Sequence, residues 1–353
     1  MRVRPLPLTA GNAAVEHLPP AIFGMAMATG IISVAAHLLG AAWLARALFA
    51  LNLVVFAVLW GLTLLRLARF PRRMREDLFD HLRGPGYFTT VAACGVLGSQ
   101  CLLVGGAFRA AFALWSVALL LWVGFTYAVF ALLTVKREKP SLQDGINGGW
   151  LLAVVATQSL AVLGTLLAAH IGQPWRIEMN FLALSMWLFG GMLYIWMMSL
   201  IFYRYTFFAF SPADLSPPYW INMGAMAIST LAGSLLILNA PDAPFLQSLL
   251  PFLKGFTVFY WATGTWWIPM LAVLAIWRHL LRRFPLRYDP LYWGAVFPLG
   301  MYAASTRRMV DAMGLDFLAP LPPVFLAIAL VAWSAMFVAL LRRLLRGGEA
   351  APS

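Results

Sequence analysis

Acidic side chains are scarce in this chain: thirteen Asp and Glu among 353 residues, against twenty-five Lys and Arg. None of the thirteen falls in the middle of an apolar run. Glu178, Asp289 and Asp311 sit at run ends, and the others lie in loops, boundaries or tails. Ion-driven pumps carry a proton or cation on a carboxylate buried in the membrane, and this sequence offers no such group. The five histidines also fall near run ends, which removes an intramembrane proton relay or metal cluster. Cysteine is rarer still. Cys94 and Cys101, seven apart in one apolar run, support neither a disulfide framework nor a zinc site, and read as small packing residues. HExxH, GxSxG and the phosphate-cradling GxxxxGK[ST] are missing, so neither an enzyme nor a cofactor is expected.

What the chain does have is apolar length. Hydrophobic residues make up 62% and charged residues 11%, with a mean hydropathy of +0.82; soluble proteins carry roughly 25% charged residues. Apolar runs fall near 19–40, 43–67, 85–106, 109–134, 147–170, 178–203, 219–239, 249–278, 289–311 and 319–343. A bilayer core needs about 20 residues per helix, so ten spans use nearly the whole chain and leave no room for an ATPase or other soluble domain. The reading is an all-α integral membrane protein. A segment 1–18 precedes a ten-helix transmembrane domain 19–343, and a tail 344–353 follows it. The first run is too long for a cleaved signal.

The net charge of +12 would suggest nucleic acid in a soluble protein, but its placement argues against that partner. Basic residues cluster after the second, fourth, sixth and eighth runs (Arg69, Arg72, Arg73, Arg75 and Arg83; Lys136, Arg137 and Lys139; Arg204; Arg282, Arg283 and Arg287) and in the tail at Arg342, Arg343 and Arg346. Loops held on the cytoplasmic side carry such an excess. Both termini are therefore expected in the cytoplasm, in a multi-pass protein of the inner (plasma) membrane. The mixed-charge loop 68–84 is placed to pack that face.

The odd runs begin near 19, 85, 147, 219 and 289, which is a helix-hairpin repeat five times over. Ala28-Thr29-Gly30, Ala156-Thr157-Gln158-Ser159, Ala227-Ile228-Ser229-Thr230 and Ala304-Ser305-Thr306 put small and hydroxyl residues at similar depth, and Thr89, Thr90, Gly98, Ser99 and Gln100 give the third run the same character. Two readings stand side by side: odd helices lining a path, or tight packing through small residues. An acid-free interior with basic rims favours anions in the first case.

His17-Leu18-Pro19-Pro20-Ala21-Ile22-Phe23-Gly24-Met25-Ala26-Met27-Ala28-Thr29-Gly30-Ile31 resembles the opening of the tellurite-resistance/dicarboxylate transporter family. Asn147-Gly148-Gly149-Trp150 through Ser159 is similar to that family's fifth helix, and Trp293-Gly294-Ala295-Val296-Phe297-Pro298-Leu299-Gly300 through Thr306 to its ninth. The resemblance implies five hairpins around a quasi-five-fold pore with the odd helices inside. It also implies a homotrimer in which each protomer has its own pore, and a phenylalanine plug at Phe297 beside the kink-forming Pro298.

With Phe297 on the axis, Met301, Ser305 and Arg308 share its face at about 100° per residue, and Arg308 lies about 16 Å further along, near the external mouth. Thr29, Ser33, Thr157 and Ser229 are further candidate lining positions, and Gly30, Gly98, Pro298 and Gly300 candidate kinks. The expected activity is a channel or transporter for small anions, either C4-dicarboxylates such as malate or inorganic anions such as chloride, nitrate, sulfite or tellurite. The alternative is a proton-coupled dicarboxylate or sulfite/tellurite exporter working as a carrier.

Overall fold

The computed structural model describes residues 10–286 and 288–345. Arg287 and Arg346, named above, lie outside that set, as do residues 1–9 and 346–353 of the two terminal segments. Ten long helices alternate in character: α1 (Gly24–Leu38), α2 (Ala42–Arg69), α3 (Phe88–Leu103), α4 (Phe108–Val135), α5 (Leu152–Ala168), α6 (Trp175–Phe207), α7 (Ile221–Asn239), α8 (Leu250–Ile276), α9 (Trp293–Met313) and α10 (Leu321–Leu345). No strand occurs among the described residues. The fold is all-α because hydrocarbon offers no partner to a free backbone N–H or C=O, and a helix satisfies both within itself.

Among the described residues, nine of these helices are long and apolar enough to cross a membrane by themselves. The ten apolar spans expected thus reduce to nine on that measure, and the exception is α9, where Arg307, Arg308 and Asp311 occupy the last turns. It is flanked instead by α1, α7 and α10.

Odd and even helices differ in what they face. The apolar stretches of α1, α3, α5 and α7 are 72% to 100% buried, and those of the even helices 11% to 50%. The odd helices touch in cyclic order, α1 on α3, α3 on α5, α5 on α7, α7 on α9, and α9 back on α1. Each even helix packs against the odd helix before it and the odd helix after it. Glycine permits the closest approaches. A Cβ on Gly30 would fall 2.5 Å from Val96 and 2.8 Å from the Asn52 amide, and one on Gly98 would collide with Leu163. Gly30, Gly98, Pro298 and Gly300 all sit inside helices that run unbroken past them.

A single 3₁₀ turn leads into every odd helix: Pro20–Phe23, Gly84–Tyr87, Gly148–Leu151, Pro217–Trp220 and Pro290–Tyr292. Proline suits the first position because that N–H has no intrahelical partner in any case. The five turns also meet in a closed cycle, and Gly148 lies so close to the Pro218 carbonyl that a Cβ would overlap it.

Polar groups recur at two levels around the ring. At mid-depth, each even helix donates a hydrogen bond to the next odd one. Asn52 Nδ2 reaches Gln100 Oε1 at 2.6 Å, Trp122 Nε1 reaches Thr157 Oγ1 at 2.8 Å, and Trp187 Nε1 reaches the Ser229 carbonyl at 2.8 Å. Trp261 Nε1 reaches Thr306 Oγ1 at 3.0 Å, and Trp333 Nε1 closes the set on Thr29 Oγ1 at 2.9 Å.

At the basic end, the last turn of each even helix sends a cation back to the segment preceding its own partner helix. Arg66 Nε donates to the Glu16 carbonyl (3.0 Å), Lys136 Nζ to Phe79 (2.8 Å), Arg204 Nε to Gln143 (2.8 Å) and Arg278 Nη1 to Leu215. Arg343 instead lies over the Tyr288 ring at 5.6 Å. Two of these cations have buried or half-buried counterions. Asp77 takes Arg66 at 2.7 Å and Arg83 at 2.5 Å, which gives the loop 68–84 its packing role. Asp214 lies 3.6 Å from Arg204. Burial pushes the Asp214 carboxyl up, but the N–H and hydroxyl of Ser211, together with Arg204, outweigh it and hold the group below the usual carboxylate range.

Replacing Asp77 by Asn leaves the Arg66 guanidinium buried without its counterion. The expected cost is about 3 kcal/mol, read as a lowered thermal unfolding midpoint of the detergent-purified protein.

Candidate anion pathway

Two cavities lie on the common face of the five odd helices, one above the other. The one nearer the basic end is walled by the 3₁₀ turns and the first turns of the helices. The other is walled by the later turns. One stripe per helix lines both. On α1 and its lead-in the stripe is Ala21, Gly24 and Met27, then Ile31, Val34 and Leu38. On α5 it is Leu152 and Val155, then Ser159, Val162 and Leu166. The steps of three and four are those that keep side chains on one helix face.

Phe297 belongs to the first cavity, and Met301, one turn on, to the second. Both are 1% exposed. The space on the axis therefore divides at the level of these two side chains. Pro298, next to Phe297, is turned to α7, where Gly224 leaves room for its ring.

The walls are overwhelmingly aliphatic, and no carboxylate is among the described residues that line them. Thr89 is the polar side chain of the first cavity, and its hydroxyl lies 2.7 Å from the Gly86 carbonyl. Ser99 and Ser159 are the hydroxyls of the second, bonded to the carbonyls of Gly95 (2.9 Å) and Ala156 (2.7 Å). Each must rotate off its own helix before it can donate to a passing anion.

Arg308 is the charged group of the second cavity. The neighbouring carboxylate is shared: Asp311 sits 2.8 Å from Arg307 and 3.8 Å from Arg308. The longer distance is an ion pair without a hydrogen bond, so the two arginines and one acid keep one net positive charge at this level.

The structure thus brings Phe297, Met301 and Arg308 to one axial path. The recurring hydroxyls are placed elsewhere. Thr29 and Thr157 receive the tryptophans of α10 and α4, and Ser33 Oγ donates to the Ala45 carbonyl at 2.7 Å. Ser229 Oγ bonds to Ala225 within its helix while its carbonyl accepts from Trp187, and Ser305 Oγ turns back to the Tyr302 carbonyl at 3.2 Å. The first four belong to the seams between helices, and none of the five lines either cavity. Ser99 and Ser159 are the polar lining that the sequence pattern alone did not single out; both lay in quoted segments, but nothing there distinguished their faces. Cys94 and Cys101 are buried and unbridged. Among the described residues, no three His, Cys, Asp or Glu side chains converge as a metal site would require.

The sequence profile of a family described as voltage-dependent anion channels matches residues 17–341. Over 152 residues, 43% of this chain, the sequence is 40% identical to an uncharacterized membrane protein of Mycobacterium tuberculosis, covering 77% of it. An uncharacterized transporter of Methanocaldococcus jannaschii is 26% identical over 299 residues, 83% of each chain. A sulfite efflux pump of Trichophyton rubrum is 23% identical over 351 residues, 92% of this chain and 90% of that one.

The seam reading of the hydroxyls has its own test. Thr157→Val and Trp122→Phe each remove one end of a buried hydrogen bond and are expected to cost about 1 kcal/mol. The double variant should cost less than the sum in thermal unfolding, and anion flux should stay at the wild-type level in all three.

Proposed function

Since the chain belongs to the family of voltage-dependent anion channels, we propose that it passes small anions across the membrane along the axis of its odd helices, with Phe297 as the gate. The observation that carries this reading is the pair of axial cavities that meet at Phe297 and Met301, walled by all five odd helices and free of carboxylates among the described residues. A buried aromatic side chain between two such spaces blocks water and ions alike. A change in its rotamer is the smallest movement that would join them.

Arg308 draws the anion in. A single cation beside low-dielectric walls raises the local anion concentration, and one arginine without a second binding group holds an anion weakly enough to release it. Beyond Arg308 the anion loses water against aliphatic walls, with the Ser99 and Ser159 hydroxyls as partial replacements. The proposed substrates are inorganic anions such as chloride, nitrate, sulfite and tellurite, or C4-dicarboxylates such as malate. The proposed assembly is a homotrimer in the plasma membrane, each protomer with its own path and both termini in the cytoplasm. A carrier that exports sulfite, tellurite or a dicarboxylate with a proton is the second reading, favoured by the likeness to a sulfite efflux pump.

Currents through the purified protein in a planar bilayer, with chloride, nitrate, malate and sulfite baths in turn, test the gate. Phe297→Ala is expected to raise anion conductance about tenfold or more, the equivalent of removing at least about 1.4 kcal/mol of barrier. Labelled malate or sulfite crossing without current in either form would favour the carrier, and no passage of any anion would overturn both readings.

Arg308→Gln is expected to lower the conductance of the Phe297→Ala form at low ionic strength. The difference should shrink as salt screens the mouth, which a conductance series against chloride concentration will show.

A further inference from the structure

Away from the axis, a second polar space opens at the basic end between the fourth hairpin and the lead-in to α9. Ser216, Tyr219, Arg278, His279 and Tyr292 are among its walls. Arg278, in the π-helical turn Trp277–Leu281 that ends α8, is 8% exposed. One of its nitrogens holds the Leu215 carbonyl, and its guanidinium plane lies over the Phe284 ring at 4.4 Å. Its Nε is buried without a partner, and so is the Ser216 hydroxyl in the same cavity.

Charge balance sets this site apart from its two buried counterparts. Arg66 and Arg204 do the same work at the ends of α2 and α6, and each has an aspartate within 4 Å. Among the described residues, Arg278 has none. Asp289, the acid nearest in sequence, accepts the Leu291 N–H on its Oδ1 at 2.8 Å. Arg282 and Arg283, both exposed, add further positive charge on the next turn. A buried cation with no counterion is costly, and an orphaned N–H and hydroxyl in the same space add to that cost.

A tetrahedral oxyanion answers all three demands at once. It supplies the counterion and accepts from the guanidinium Nε and from the Ser216 hydroxyl. Arginine's planar fork is matched to such groups. The site also lies beside exposed apolar side chains, with Leu280, Leu281 and Leu286 each at least 70% exposed. We propose that this pocket binds a phosphate group. The bound phosphate takes the place that Asp77 and Asp214 fill elsewhere and braces the lead-ins of α7 and α9 against the end of α8. Two sources present this chemistry at a membrane surface: the headgroup of an acidic phospholipid and free phosphate.

The full-length protein, reconstituted in phosphatidylcholine nanodiscs, separates the two. In one arm, phosphatidylglycerol replaces part of the lipid. In the other, inorganic phosphate is titrated against chloride at equal ionic strength. The thermal unfolding midpoint is read in both arms. A rise with phosphatidylglycerol alone assigns the site to lipid, and a rise with inorganic phosphate alone assigns it to the free ion. Arg278→Gln and Ser216→Ala should each weaken the response about tenfold, the worth of one hydrogen bond to a charged group. The exposed Arg282→Gln should respond as wild type does. Should Arg278→Gln fail to fold, Ser216→Ala decides alone. No rise in either arm, or an undiminished rise in Ser216→Ala, overturns the proposal. The readout involves no transport, so either result leaves the reading of the axial path standing.

Discussion

A carbonyl group at the rim of an apolar slab has few partners, and the way this chain provides them organises the molecule. Before each odd helix the backbone runs through a segment and a 3₁₀ turn whose oxygens have no helical ladder to join. In four of the five hairpins a basic side chain from the end of the even helix reaches back to one of those oxygens, and in the fifth it covers a tyrosine ring. The contact ties the two ends of every hairpin together and sets where each odd helix starts. The five starts therefore meet at one level, and their helices run side by side from there.

From that alignment follows the separation of labour between the layers. Odd helices can approach closely because glycine and alanine face their neighbours, and the indole and amide groups of the even helices satisfy the polar groups at mid-depth from outside. What remains to face the axis is mostly aliphatic, with two serines that can be recruited and one arginine. Asp311 is shared by Arg307 and Arg308, which leaves one net positive charge on the three groups. On the proposed reading, such an interior is hostile to cations and offers anions little beyond field and volume, so discrimination would rest on what each anion loses in shedding water.

Much of this was legible in the sequence. The hydropathy runs give the helices to within a few residues, and the spacing of the odd runs gives the hairpin repeat. The basic clusters are visible too, but charge bookkeeping explains them only as a matter of sidedness; their hydrogen bonds to specific carbonyls need coordinates. The recurrence of Thr29, Thr157 and Ser229 at one depth is real, yet the direction in which they point is not encoded there. A helix that is apolar all round carries no mark of its rotation, so a hydroxyl that meets a tryptophan looks the same as one that meets the axis. The ninth run is different, because Arg307, Arg308 and Asp311 give it sides. For the same reason it is too polar to count as a span by itself, and it depends on the helices around it. Arg278 could not be told from Arg204 in sequence, since the absence of a counterion is a property of space.

The bond between Trp333 and Thr29 joins residues 304 positions apart. Every other mid-depth bond links hairpins that are adjacent in the chain, and each can form as soon as the second of the pair has been made. The closing bond cannot. During synthesis, α1 enters the membrane first and keeps one flank uncovered until the last helix leaves the ribosome, while four finished hairpins wait as an open arc. The cell must hold that arc in lipid through the whole of translation, and the final helix, arriving last, completes the cover of both α1 and α9 in one step.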